Sequence, residues 1–341
     1  SFNPTRSLVA DCTTPEQRSK GFTWMQTVSG TFGVLAYLIA VIWGNEVLIY
    51  VGAIIAVLFT VLPIFFIEEP RELKSENNDA VAQQKSSIKD MVESILPLSG
   101  FLIYGIYVIV GKLFGLTVAG DIFGLDYIEC ACVIIEILAI LAVLFNATRS
   151  SEDNNQFQKI LLAPSFTWWG VQTMNIYMFF YVVNIITGIA GTEQTVNSMA
   201  FLVRDLIGAI LPVLVLNVIA QKAGMAKTHT GSILLMALGY GLIYFFGANI
   251  YVFFASLVIV GIGWASLVSL PFAIMSERVD QSKMGLYMGI FNLSVVLPQL
   301  VASFKMGEVV NAAADKSIIF AICAVCLLIS GVLWIAVKDK K

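Results

Sequence analysis

Three side chains in one predicted membrane helix have the types and spacing of a sugar-binding face. Trp168 precedes Gln172 by four residues and Asn175 follows it by three, so the three side chains lie on one helix face. An aromatic ring can cover the CH surface of a pyranose, and the two amides can hydrogen-bond its hydroxyls in an otherwise apolar pocket. The alternative is polar contact between helices, with Trp169 and Tyr177 at the lipid interface.

Charged residues within apolar segments are the second group of candidates. Arg204 and Asp205 lie inside one segment and Glu136 near the centre of another, where a charge is costly and therefore marks coupling or gating by default. Adjacent helix positions point about 100° apart, so Arg204 and Asp205 each predict a partner on another helix or in a wet cavity. A structural ion pair or an interfacial anchor is the alternative. Glu129 is expected to pair with Lys112 at equal depth.

The block 263–299 is typical of half of a transporter cavity. It reads as a helix with a small, polar face and a proline near its end, then a short charged turn and a glycine-spaced helix. The candidate cavity-lining residues of this block are Trp264, Ser266, Ser269, Asn292 and Gln299.

The composition places these residues in a membrane. Hydrophobic residues make up 58% of the 341 residues and charged ones 13%, against roughly 45–50% and 25% in soluble domains. A bilayer needs about 20 apolar residues per helix, and ten windows meet this requirement: 24–44, 46–67, 95–116, 126–147, 161–184, 199–221, two within 231–275, 285–304 and 317–337. These runs are too long and too little alternating for barrel strands. The predicted fold class is therefore an all-α polytopic bundle.

Positive charges partition between the loops when successive loops are assigned to opposite sides of the membrane. Only Lys305 and Lys316 fall on one side, so the other side is predicted to be cytoplasmic, in the cytoplasmic or inner membrane. His229, in the loop 222–230, is expected to be hydrated. The residues of the predicted cytoplasmic side are Arg6, Arg18, Lys20, Arg71, Lys74, Lys85, Lys89, Arg149, Lys159, Lys222, Lys227, Arg278, Lys283, Lys338, Lys340 and Lys341.

Several function classes find no support in the sequence. It shows no nucleophile with its base, no phosphate loop and no metal cluster, so neither an enzyme nor a cofactor or metal is predicted. Cys323 and Cys326 lack a nearby His or carboxylate and are expected to be packed thiols. The net charge of −3 says nothing about nucleic acid, but no basic tract is long enough to predict it as a partner.

Four segments resemble the sucrose and maltose transporters of the major facilitator superfamily, which group with the glycoside-pentoside-hexuronide cation symporters. These segments are 3–11, 166–169, 203–208 and 264–299. The last of them is the most specific. The resemblance covers 1–67 and 157–341. It implies a disaccharide importer coupled to H⁺ or Na⁺. Alternatives are an exporter of amphipathic compounds and a non-transporting scaffold or sensor.

The resemblance also implies an organisation of the chain. Residues 1–67 correspond to the end of the first transporter half, 68–94 to a cytoplasmic linker ending in a short amphipathic helix, and 148–341 to a complete second half. Residues 95–147 have no counterpart and are expected to form an inserted transmembrane hairpin packed at the periphery. The expectation is that the chain is truncated at its N-terminus.

A charged motif near the start of the chain resembles the latch of the inner gate in this superfamily. Its residues are Arg6, Asp11 and Arg18. Solvated loop charges are the alternative interpretation.

Overall fold

A computed structural model describes residues 15–65, 93–116, 118, 120, 122, 124–147, 149–186, 191–279 and 284–339. The described chain is helical, as predicted. Its α-helices are α1 Pro15–Trp43, α2 Asn45–Val61, α3 Ser99–Phe114, α4 Tyr127–Leu144, α5 Glu152–Ile185, α6 Glu193–Leu211, α7 Asn217–Ala223, α8 Met225–Phe246, α9 Ile250–Leu267, α10 Leu270–Arg278, α11 Met284–Phe304, α12 Met306–Ala312 and α13 Ile318–Ile335. Short 3₁₀ turns occupy Leu62–Phe65 and Leu96–Leu98, and a π-helical turn occupies Pro212–Leu216.

Helices overlap all ten predicted windows, but not all of them have the length and apolarity of a membrane span. In the described residues six helices do, or seven if the bent pair Glu193–Leu211 and Leu214–Ala223 counts as one span. The apolar parts of α1 and α2, Thr27–Trp43 and Asn45–Phe59, are shorter. α5 is long enough, but polar residues are spread along it.

Glycine and proline set the breaks between these helices. Gly44 and Gly224 have φ of 90° and 97°, a conformation that glycine adopts without a Cβ clash, and they separate α1 from α2 and α7 from α8. Pro212 and Pro271 have no N–H to donate to the preceding turn. The first lies at the bend of 41° after α6, and the second lies at the start of α10 and divides it from α9.

α5 is the central helix of the described bundle. It packs against α13, α11 and the hairpin α3–α4, while α6 packs against α1 and α9, and α8 against α9 and α13. Small residues allow these close approaches. A Cβ on Gly170 of α5 would lie 3.1 Å from the Cβ of Cys326, and Cys323 Sγ donates to the Gly170 carbonyl at 3.0 Å. Both thiols are buried in the α5–α13 contact.

The hairpin α3–α4 closes around Gly100. A Cβ there would lie 2.5 Å from the Cys132 carbonyl oxygen, so α3 and α4 cross in backbone contact. The pairing predicted for Glu129 is wrong: its Oε2 accepts from Lys305 Nζ at 2.8 Å, and the Lys112 ammonium lies 4.4 Å from the centre of the Phe304 ring. Glu129 also closes a capping box at the start of α4. An ion pair thus joins the hairpin to the end of α11.

Charged residues predicted for one side of the membrane meet at one end of the bundle. Arg278 Nη1 lies 3.3 Å from Asp153 Oδ1, and its Nη2 donates to the Lys338 carbonyl at 2.7 Å. Asp339 accepts from the backbone N–H of Ala226 at 2.8 Å. These contacts bring together the start of α5, the end of α10 and the segment after α13.

The prediction of a hydrated His229 is wrong. α8 begins at Met225, so His229 lies on a helix and not in a loop. It is fully buried, its Nδ1 lies 2.7 Å from Ser266 Oγ, and its ring contacts Trp334 edge-on at 4.4 Å. His229 therefore joins α8, α9 and α13 within the core.

Candidate functional site

A buried arginine stands where three helices meet. Arg204 of α6 is 4% exposed, and its Nε donates to Asp205 Oδ1 at 2.7 Å. Its Nη1 donates to the Asn175 amide oxygen on α5, also at 2.7 Å. The guanidinium packs over the Trp264 ring of α9 at 4.2 Å and over Phe201 of its own helix at 4.8 Å. A single side chain therefore links α5, α6 and α9.

Arg204 and Asp205 pair with each other, contrary to the prediction. The prediction considered only the Cα–Cβ directions of adjacent residues, whereas the long Arg side chain turns back to reach its neighbour. The expected partner on another helix exists as well, because Asn175 accepts from the same guanidinium. A buried charge requires such a set of partners, since an unpaired one loses its hydration without compensation.

Aromatic rings surround this ion pair. Trp168 contacts Trp264 edge-on with ring centres 6.2 Å apart, and Tyr37 of α1 stacks on Phe201 at 5.3 Å and 12°. Gly208 makes room for the indole of Trp264, because a Cβ there would lie 2.5 Å from Trp264 Cδ1. We call the set Tyr37, Trp168, Asn175, Phe201, Arg204, Asp205 and Trp264 the Arg204 cluster.

The predicted face of α5 is only partly assembled into this cluster. Trp168 and Asn175 belong to it, and Gln172 lies between them along the helix and is half-buried. The alternative that places Trp169 and Tyr177 at the lipid interface is wrong. Trp169 packs edge-on against Phe101 of the hairpin at 6.0 Å, and Tyr177 is buried and donates to the Ala302 carbonyl at 3.3 Å.

The candidates of the 263–299 block are dispersed. Trp264 lies in the Arg204 cluster, whereas Ser266 bonds to His229 as described above. The Ser269 hydroxyl is buried at the break between α9 and α10 and donates to the Ala265 carbonyl at 2.7 Å. Asn292 and Gln299 are half-buried on α11, outside the contacts that define the cluster.

The remaining candidates lie elsewhere or outside the description. Glu136 is 7% exposed and its Oε2 accepts from the Gly100 N–H at 2.9 Å, so it faces the interior of the hairpin and not the cluster. Arg6 and Asp11 lie outside the described residues, and for Arg18 only the backbone is described.

Sequence reasoning missed Tyr37 and Phe201. Phe201 precedes Arg204 by three residues, so a search for aromatic residues one turn from a membrane arginine would have found it. No local signal identifies Tyr37, because its contact depends on the packing of α1 against α6.

The cluster offers opposite charges, hydrogen-bonding groups and ring faces that can stack on a flat apolar surface. Half-buried Trp168, Asn175 and Trp264 provide two rings and an amide, while buried Arg204 and Asp205 provide opposite charges. These are the groups that polar ligands use for orientation in mostly apolar sites. Among the described residues, no three His, Cys, Asp or Glu side chains lie together in a way that would hold a metal ion.

Comparison with known proteins now decides the family. The family described as MFS/sugar transport protein matches residues 142–314, just over half of the 341 residues. The chain belongs to this family. It is therefore a multi-pass membrane transporter of the major facilitator type and not an enzyme. The match spans α5, α6 and α9, which carry most of the Arg204 cluster.

The solved structures that resemble this chain are distant from it in sequence. A bacterial homologue of the iron transporter ferroportin in its outward-facing state, with soaked iron, is 14% identical, with a TM-score of 0.46 over 98% of this chain and 85% of that one. Its inward-facing form is 13% identical, with a TM-score of 0.45 over 98% of this chain and 85% of that one. The fucose:proton symporter FucP of E. coli is 14% identical, with a TM-score of 0.42 over 98% of this chain and 88% of that one. None of the curated proteins compared with the sequence matches it.

Proposed function

We propose that this transporter belongs to the sucrose and maltose group and imports a disaccharide or glucoside across the cytoplasmic membrane, coupled to H⁺ or Na⁺. The observation that carries the proposal is the position of Arg204. Its guanidinium bonds to a carboxylate on its own helix and to an amide on the predicted sugar-binding face. A change in charge at Asp205 would therefore alter the hydrogen bond between Arg204 and Asn175.

The sugar-binding part of the proposal uses the half-buried side chains of the cluster. Trp168 and Trp264 would cover the CH surface of the sugar ring, and Gln172 and Asn175 would bond to its hydroxyls. Asn175 is engaged by Arg204 in the present conformation, so binding requires that the sugar replace this contact. Ser269, Asn292 and Gln299 are proposed as further lining residues of the transport path.

The coupling part follows from the charges. A cation that neutralises Asp205 would remove much of the attraction that holds Arg204 Nε at 2.7 Å. Arg204 would then be free to release Asn175 for a sugar hydroxyl. Cation and sugar would favour the same conformation, and each would raise the affinity for the other, as linkage requires. Arg6, Asp11 and Arg18 are proposed as the latch of the inner gate, separate from this step.

The experiment is uptake of labelled sucrose and maltose by the intact transporter at two external pH values, with and without Na⁺. Asn175→Ala and Gln172→Ala each remove hydrogen bonds to sugar, a loss of roughly 1–3 kcal/mol. We expect an apparent affinity about 5- to 150-fold weaker with near-normal membrane expression. Asp205→Asn keeps an acceptor for Arg204 but removes the charge, so sugar exchange should continue while accumulation is lost.

A matched control lies on the same helix. Asn184 is exposed and donates to the Phe180 carbonyl of its own helix at 2.7 Å, so Asn184→Ala should transport normally. Unchanged sugar affinity in Asn175→Ala, Gln172→Ala and Trp168→Ala would show that this face only holds helices together. Efflux of amphipathic compounds without sugar uptake would favour an exporter, and no transport of either would favour a scaffold.

A further inference from the structure

A second candidate site lies beside Trp169 of α5, in a largely apolar cavity of about 390 Å³ between the hairpin, α5 and α11. Its walls come from all three: Phe101 and Cys132 of the hairpin, Phe166 and Trp169 of α5, and Val301 of α11. The Lys305–Glu129 ion pair also lines the cavity. We call it the hairpin cavity. Its volume falls within the range of about 300–1,000 Å³ that takes up small organic ligands.

Two polar atoms in this cavity lack a hydrogen-bond partner within the described chain. Glu136 lines the cavity and is 7% exposed, and while its Oε2 accepts from Gly100, its Oε1 has no partner. The indole Nε1 of Trp169, also a lining residue, is buried and unpartnered as well. Buried polar atoms are nearly always paired because an unpaired one loses its hydration. Both atoms therefore indicate a ligand with a polar group inside an apolar cavity.

The route into the cavity leads from the bilayer. Val133 and Ile137 of α4 and Ile329 of α13 belong to the lining, yet they are 47%, 51% and 38% exposed. They lie on helices that qualify as membrane spans, so the solvent they face is lipid. A ligand enters laterally from the membrane and not from the sugar path.

The polar group that fits is a neutral alcohol. Glu136 lies about halfway along α4, where a charged lipid headgroup would be expensive, and a phosphate would also repel the carboxylate. The Lys305 ammonium also lines the cavity, but it is already paired with Glu129 and Glu308 at 2.8 Å. A hydroxyl can donate to Glu136 Oε1, the carboxylate oxygen that has no partner within the described chain. It also accepts from an indole N–H such as that of Trp169.

We propose that the hairpin cavity binds a membrane lipid whose only polar group is one hydroxyl on an apolar hydrocarbon body, of the sterol or prenol type, with the hydroxyl at Glu136. Such a molecule would fill the joint between the hairpin and α5 and α11. The proposal goes beyond the transport function and does not depend on which sugar is carried.

The experiment uses the intact protein in phosphatidylcholine nanodiscs with two photoreactive probes, a clickable cholesterol analogue and a clickable geranylgeraniol analogue. We expect saturable labelling of α4 or of residues around Phe166 by at least one of them, and the stronger probe distinguishes sterol from prenol. Unlabelled parent alcohol should compete. Its methyl ether has the same apolar body but no hydrogen to donate, and should compete at least about tenfold less well.

Variants locate the site. Glu136→Leu should weaken labelling about 5- to 30-fold, whereas Glu136→Gln, which keeps an acceptor, should retain most of it. Val133→Trp should block the cavity. Its control is Ile134→Trp, because Ile134 is the next residue of α4, is 57% exposed and does not line the cavity.

Three results would overturn the proposal. The first is labelling that neither saturates nor distinguishes Val133→Trp from Ile134→Trp, which is the behaviour of lipid around any membrane protein. The second is a methyl ether that competes as well as the alcohol. The third is displacement of the probe by a cationic alkylamine at concentrations where the alcohol has no effect, since the site would then select an ammonium.

Discussion

Two neighbouring tryptophans of α5 face two buried acidic sites that are built in opposite ways. Trp168 contacts Trp264 in the Arg204 cluster, where Asp205 pairs with Arg204 at 2.7 Å. Trp169 lines the hairpin cavity, where Glu136 Oε2 accepts from the Gly100 N–H and Oε1 has no partner within the described chain. The first site satisfies its charges with protein groups from three helices. The second leaves space and an unused acceptor.

This difference teaches what each carboxylate is for. A paired carboxylate that also holds a second helix through Arg204 can change the packing of helices when its charge changes, as a coupling site requires. A carboxyl with one unpartnered oxygen beside an apolar cavity can do little by itself, but it can orient a ligand. The two buried acidic residues, Asp205 and Glu136, therefore have different proposed roles, and these roles predict different losses of stability on mutation.

The largest expected effect is on stability. Asp205→Ala leaves the guanidinium of Arg204, 4% exposed, without its carboxylate, and breaking a buried ion pair in this way costs roughly 3–5 kcal/mol. Glu136→Leu removes the acceptor of the buried Gly100 N–H, now at 2.9 Å, and should cost only about 1–3 kcal/mol, because no buried charge is left unpaired. Thermal unfolding of the intact protein in detergent micelles measures both.

A control for the first variant is the double change Arg204→Met with Asp205→Ala. It removes both charges and should recover much of the lost stability. Equal losses in Asp205→Ala and Glu136→Leu would remove the distinction between the two sites, because the protein would then hold Glu136 as strongly as it holds Asp205.

Helix positions and local faces were predictable, because apolar length and residue spacing are properties of short segments. The face with Trp168 and Asn175 was found in this way. Contacts between distant segments were not predictable. Lys305 is 176 residues from Glu129, and no sequence pattern distinguished Lys305 from Lys112 as its partner. His229 was misplaced because it lies between the apolar windows 199–221 and 231–275, whereas α8 already begins at Met225. There Thr228 and Thr230 donate to carbonyls one turn back at 2.7 and 2.8 Å.

An intermediate effect is expected from a change that touches no charge. Gly208→Ala would place a methyl group 2.5 Å from Trp264 Cδ1, and overpacking of this kind costs typically 1–3 kcal/mol. Because Trp264 must move away from Arg204, the apparent sugar affinity in uptake assays should fall as well. The control is Gly241→Ala, since a Cβ on Gly241 meets nothing within 4 Å. Loss of stability without any change in sugar affinity would separate Trp264 from the binding site.

The smallest expected effect tests how the hairpin is attached. Lys305 and Glu129 pair at 2.8 Å with side chains 12% and 10% exposed, but Lys305 also pairs with Glu308, and Glu129 also accepts from the Asp126 N–H at 3.0 Å. Removal of one partner therefore leaves the other partly satisfied.

We expect a double-mutant cycle of Lys305→Met and Glu129→Gln to give a coupling energy of about 0.5–2 kcal/mol, the range found for polar contacts between membrane helices. The parallel cycle of Lys112→Met and Glu129→Gln should give a value within about 0.3 kcal/mol of zero, since Lys112 packs on Phe304 instead. Thermal unfolding of the six proteins in one detergent measures both energies. Coupling of Glu129 to Lys112 and not to Lys305 would mean that the hairpin lies elsewhere on the bundle, and the hairpin cavity would lose the wall that α11 provides. Coupling to Lys305 alone would fix α4 against α11 at the end nearest to Glu129, and would leave Glu136 with the apolar surroundings that its proposed ligand requires.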